Sequence, residues 1–168
     1  MSKEVSVLFV DPALASLGWA VISGNSHSFK MIDFGVVVTP SGMPLGDRLS
    51  IVRQDVLELL GMYKPTIVGY EKPFFSGKNT NAAIVQNAIG VMLSAMADAG
   101  YPSPAELKPS QIKLAIAGSG NAEKVEVRAA VLELFELTHQ KGTKDDAYDA
   151  AAGAAAVIQN YFLFEAAK

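Results

Sequence analysis

The run Val5-Ser6-Val7-Leu8-Phe9-Val10 ends in one acid, Asp11, and continues as Pro12-Ala13-Leu14-Ala15-Ser16-Leu17-Gly18. Short apolar runs rich in Val and Phe and closed by Pro and Gly are the pattern of buried strands. A carboxylate at the end of such a strand has left the apolar interior but is still held by it, so it is well placed for chemistry. Asp-Pro is also an ordinary turn opening, and Asp11 gains its weight from the rest of the chain. A second short apolar run, Thr66 to Tyr70, ends in Glu71, and a later helix start carries Asp145, Asp146 and Asp149. Three separated sources of carboxylate point to one metal site.

Working outward from that first strand, Leu17 to Ser23 reads as a second strand, Gly24-Asn25-Ser26 as a hairpin turn, and Phe29 to Val38 as a third strand. Leu49, Val52, Val56, Leu59 and Leu60 recur at helical spacing and predict a helix over Leu45 to Tyr63, ended by Gly61 and Pro65. The span Thr80 to Ala99 predicts a helix apolar on most of its circumference, which must be covered on more than one side. It lies either central to the core or against a second subunit. Pro104 to Leu107 reads as a last short strand. Helices follow over Ser110 to Ala117, Ala122 to Leu137 and Lys144 to Phe162. Three strands joined by tight turns, then two reached through helical crossovers, predict an α/β fold with a five-stranded mixed sheet and helices on both faces.

At 168 residues the chain fits a single domain, 1–168, large enough to bury a substantial core. Half of its residues are hydrophobic and none is cysteine, which removes disulfide frameworks and thiolate zinc sites. The polar start has no signal-peptide core, and no stretch of about 20 apolar residues could cross a membrane. The expectation is therefore no membrane association and a cytoplasmic location. The net charge of -3 runs against a nucleic-acid partner. Distribution matters more than the sum: Lys72, Lys78, Lys108, Lys113, Lys124 and Arg128 fall between the second and third acidic segments.

On a helix, Asp146 and Asp149, three apart, can aim at one point, and so can Asp145 and Asp149, four apart. Asp145 and Asp146 also suit a first turn capped by Thr143. Asp149 does not fit that explanation: it lies a turn further in, among Ala147, Ala150, Ala151, Ala152 and Gly153. Small neighbours let a helix approach a sheet closely, and a carboxylate pressed toward a sheet is costly unless paired or metal-bound. Oxygen ligands without His or Cys suit Mg2+ or Mn2+. Two such ions about 3.5 to 4 Å apart activate a water and stabilise the leaving oxygen of a phosphodiester, so the acids read as a phosphodiesterase site.

These residues resemble the RuvC family of Holliday junction resolvases, within the RNase H-like (integrase) superfamily. The matching pieces are Val10-Asp11-Pro12, Leu17 to Ile22, Gly69-Tyr70-Glu71, Lys78-Asn79, Lys113 to Lys124, and Asp146-Ala147-Tyr148-Asp149-Ala150, in order over nearly the whole chain. Each is weak alone and the set is specific. The resemblance implies an RNase H-like fold and a Mg2+-dependent homodimeric endonuclease, with two ions per site, that nicks a four-way DNA junction symmetrically during recombination and repair. It assigns Asp11, Glu71, Asp146 and Asp149 as metal ligands, favouring Asp146 over Asp145. It assigns Lys113 and Lys124 to the DNA near the scissile phosphate.

The resemblance further implies a base-stacking aromatic at Phe74 or Phe75, flanked by the DNA-contacting Lys72 and Lys78, and dimerisation through the helix over 80–99. A branch-migration motor is the further partner it raises, in the cytoplasm of a bacterium, or of its host if the chain is phage-encoded. The chain departs from the family pattern at Ala13, where the family carries Gly, and in a loop after Glu71 that is one residue longer. A less selective fork or flap nuclease and a decayed junction-binding protein are the alternatives. A sugar-kinase or actin-type nucleotide site would need a second similar domain, which 168 residues do not hold.

Overall fold

The computed structural model describes residues 3–73, 82–138 and 142–167. Five strands form one sheet: β1 (Val5–Asp11), β2 (Ser16–Gly24), β3 (Phe29–Val38), β4 (Ile67–Glu71) and β5 (Ala105–Leu107), in the spatial order β3-β2-β1-β4-β5. The β1–β2 and β2–β3 pairs are antiparallel, and the β1–β4 and β4–β5 pairs are parallel. The mixed sheet expected from the connection lengths is therefore the one observed. The hairpin between β2 and β3 closes on Asn25, whose N–H donates to Ser28 O (3.0 Å) and whose side-chain oxygen accepts from His27 N (2.8 Å).

Side chains alternate along β1 and so serve two cores. Val5, Val7 and Phe9 face one layer, together with Ala20 and Ile22 of β2. That layer holds α3 (Pro109–Ala117), α4 (Lys124–Leu134) and α5 (Asp145–Ala166). Leu8 and Val10 face the other, together with Leu17 and Val21 and with α1 (Leu45–Tyr63) and α2 (Ala82–Asp98). β1, central and buried on both faces, is thus an almost unbroken apolar run, as parallel-paired strands require.

α1 has the expected span, running through Gly61 and stopping where Lys64 turns left-handed (φ 44) just before Pro65. Other ends differ from expectation. α4 ends at Leu134 although the apolar spacing continues, because Glu136 adopts φ 52. The residue capping α5 is Lys144 rather than Thr143, and no side-chain cap bond is made there. α5 itself continues to Ala166, a turn beyond Phe162. α2 buries Ala88, Ile89, Met92, Ala95 and Met96 against the sheet layer and leaves Ile84 37% exposed on another side. Among the described residues, no helix is long and apolar enough to cross a membrane.

Candidate metal centre

Parallel pairing sets the first two acids side by side. β1 and β4 are in register up to Val10 opposite Tyr70, and each strand ends one residue later, in Asp11 and Glu71. The turn after Asp11 is braced from the end of β3. Thr39 N–H donates to Ala15 O (3.3 Å), the buried Thr39 hydroxyl donates to Leu14 O, and Arg48 Nε donates to Thr39 Oγ1 (3.0 Å). Ala13 is accommodated in that braced turn without a positive φ.

The other acids arrive on α5, and two glycines let that helix come close enough. A Cβ on Gly18, the residue paired with Asp11, would lie 2.0 Å from the carbonyl oxygen of Asp146. A Cβ on Gly153 would lie 2.1 Å from Cε1 of Phe9. With those two positions bare, the first turns of α5 press on β2 and β1. Carboxylate oxygens of Asp11, Asp146 and Asp149 then all lie within 4.8 Å of one another. Glu71 stands on the same cavity of about 340 Å³, whose wall also includes Asp11, Asp149, Lys113 and Lys124. Asp145 turns away: its Oδ1 accepts from Arg128 Nη1 of α4 at 3.0 Å.

Crowded acids without enough counter-charge resist ionisation. Burial, then Glu71, Asp149 and Asp146, hold the Asp11 carboxyl well above its ordinary value. Burial and Asp149 push Glu71 up to about 7, with Lys124 and Lys113 opposing. Asp149 is raised by burial, although Lys124 Nζ lies 3.2 Å from its Oδ2 and opposes that rise. Lys124 opens α4, where the helix dipole disfavours a cation, and it is the acids facing it that raise its pKa. An all-oxygen donor set with surplus negative charge fits a hard divalent cation, which would replace a protonation the acids otherwise favour.

Of the other residues singled out from sequence, Lys113 on α3 lines this cavity and a second one beside it. Lys72 belongs only to the second, and its Nζ donates to Glu106 Oε1 at 2.8 Å. Glu106 also accepts from the Tyr70 hydroxyl. Phe74, Phe75 and Lys78 lie outside the described residues. Glu106, Arg128 and Gly18 are contributors that sequence reasoning did not single out for these roles. Glu106 was hidden because its partners Tyr70 and Lys72 meet it only through the β4–β5 register, in which Tyr70 pairs Glu106.

The chain matches the family model described as Crossover junction endodeoxyribonuclease RuvC over residues 7–157. It is 38% identical over 146 residues to the protein of that name from Synechococcus sp. (strain CC9902), covering 87% of this chain and 93% of that protein. The solved structure of Thermus thermophilus RuvC in complex with a Holliday junction substrate superposes with a TM-score of 0.87. It is 29% identical, and the match covers 95% of this chain and 96% of that one. The yeast mitochondrial Holliday junction resolvase Ydc2, 13% identical, shares the fold with a TM-score of 0.67 over 95% of this chain and 80% of that one. With its RNase H-like sheet, its acids at two parallel strand ends and this match over most of its length, the chain belongs to the RuvC family of crossover junction endodeoxyribonucleases.

Proposed function

We propose that the protein is a metal-dependent, structure-selective endodeoxyribonuclease, one nuclease domain over 1–168, that resolves four-way DNA junctions by paired symmetric nicks in recombination and repair. The observation that carries this is the convergence of Asp11, Asp146 and Asp149 within 4.8 Å, in a chain whose relative of known structure is bound to a Holliday junction. Asp11, Glu71, Asp146 and Asp149 would hold Mg2+, two ions per site, with Mn2+ able to substitute. Bound there, the ions supply an activated water and charge stabilisation for the leaving oxygen.

The chain's own residues do the remainder. Asp11, Glu71 and Asp149 would hold the ions, and Asp146 would complete the site or orient the attacking water. Lys124, on the cavity wall with its Nζ 3.2 Å from Asp149 Oδ2, supplies an ammonium to meet the charge that develops on the phosphate. Lys113, on the wall between two cavities, faces the same phosphate from the α3 side. Lys72 and Lys78 track the DNA backbone, and Phe74 or Phe75 stacks on a base, worth about 1 to 3 kcal/mol. Paired nicks require two such sites, and the outward side of α2, within 80–99, is the proposed homodimer contact; its exposed Ile84 and the open space beside Gly90 support that use. The cytoplasm is the proposed setting.

Cleavage of a synthetic immobile four-way junction in Mg2+, beside fork, flap and duplex substrates and with the Asp11→Asn variant as control, tests the proposal. Paired symmetric nicks on the junction from the parent alone are expected. Equal rates on every substrate would refute junction selectivity, and binding without cutting by both proteins would refute the nuclease.

A further inference from the structure

The C-terminal ends of β1, β4 and β5 all open on the same side of the sheet, because these three strands run parallel. Asp11 and Glu71 leave the first two, and Lys108 leaves the third as the residue that caps α3. Beyond Lys113, on the side away from Asp11, lies a second cavity of about 410 Å³. Its wall carries three ammonium groups, Lys72, Lys108 and Lys113, and, among the described residues, no carboxylate, whereas the cavity on the other side of Lys113 carries Asp11, Glu71 and Asp149. Pro109 and Lys113 belong to both, so the two form one trough with an acidic half and a basic half.

The basic half has the chemistry of a sugar-phosphate chain. Pro73, Pro109 and Gly120 give apolar wall for deoxyribose, and the lysines give charge for phosphate. Among the described residues, its lining holds no aromatic ring or carboxamide to recognise a base. The opening of α3 adds its positive dipole end, and the α3–α4 turn closes in beneath, where a Cβ on Gly120 would lie 3.2 Å from Ser110 O. One feature works against anion binding. Glu106 takes Lys72 at 2.8 Å, and Lys72 and the Tyr70 hydroxyl hold its pKa below the ordinary value, with Lys108 adding to the effect.

We propose that this basic cavity is a second phosphate subsite, seating a DNA backbone phosphate beside the one to be cut. Lys108 is its main contact and Glu106 is a built-in counterweight that weakens Lys72. The inference rests on the nuclease reading above and adds to it a site and two residues outside the metal-binding acids.

The test is junction binding in the Asp11→Asn background, from about 50 to 200 mM KCl, with Lys108→Gln and Glu106→Gln added singly. Each phosphate contact contributes about 0.9 to the log-log salt slope. Lys108→Gln should therefore bind more weakly at low salt and lose about 3.5-fold less affinity across that fourfold salt range. Glu106→Gln, which keeps an acceptor for Tyr70, should bind the junction more tightly than the parent. Binding unchanged in either variant overturns the subsite while leaving the nuclease intact. A parent that binds no DNA overturns both together. Inorganic phosphate is the remaining probe: calorimetric binding to the parent that Lys108→Gln abolishes, with junction binding unaltered, would assign the cavity to free phosphate and also overturn the proposal.

Discussion

Replacing Gly18 by alanine adds one methyl group on β2 and should disable a site whose carboxylates it never touches. That methyl would sit 2.0 Å from the Asp146 carbonyl oxygen and 2.5 Å from its carbon, where ordinary contact begins at 3.4 Å. The obstacle is backbone, so no side-chain rotation relieves it, and the first turn of α5 must retreat by about 1.4 Å. A displacement near 1 Å at a catalytic centre costs roughly 100-fold in rate. Removing a strand glycine favours folding by about 0.5 to 1 kcal/mol, and overpacking opposes it by about 1 to 3 kcal/mol. The expected net effect is a loss of about 1 to 2 kcal/mol in urea unfolding, with single-turnover junction cleavage down about 100-fold. A variant that is more stable than its parent and cuts at the parental rate would show that β2 and α5 do not meet at Gly18.

Asp146→Asn should abolish cleavage while leaving junction binding largely intact, and Asp145→Asn should be mild because its carboxylate faces Arg128; equal losses in the two would place the wrong acid in the site. In EDTA the stability should rise on acidification from pH 8 to about 5.5. Glu71 in the fold titrates near 7 against 4.5 when free, so its charged form burdens the fold above 7, and protonation between those values lifts the burden. The gain is on the order of 1 to 2 kcal/mol, and saturating Mg2+ at pH 8 should replace it; chemical denaturation falling steadily from pH 8 to 5.5 in EDTA would contradict this. Ile84→Glu on the exposed side of α2 should yield monomers in sedimentation and unpaired nicks, and an unaltered dimer would place the subunit contact elsewhere.

Much of this architecture is legible in residue order because single strands announce their own ends. Asp11 and Glu71 each close an apolar run, and their shared edge follows once β1 and β4 are parallel neighbours. The resemblance favoured Asp146 over Asp145, and helical spacing left both open. The geometry separating them is the Arg128 contact from another helix, seventeen positions away in the chain. Periodicity overran the end of α4 since Phe135 and Leu137 keep the apolar rhythm, while the helix yields to the left-handed Glu136. Lys72 read as a free DNA contact because its partner Glu106 is a neighbour only across strands. Phe74, Phe75 and Lys78 lie outside the described residues.

The near-absence of side-chain bulk between α5 and the sheet has a consequence for how such a chain can drift. From Ala150 to Ala156 that helix buries only alanines and one glycine, and Gly153 rides on the Phe9 ring. The gap between layers is therefore measured in single methyl groups, and the same gap spaces Asp11 from Asp146 and Asp149. Elsewhere in a core, a Val can trade with an Ile and the price is stability alone. Here any gain in volume also opens the ring of acids, so selection for the reaction and selection for packing act on the same atoms. Descendants can rebuild the α1–α2 layer far more freely than the α5 layer.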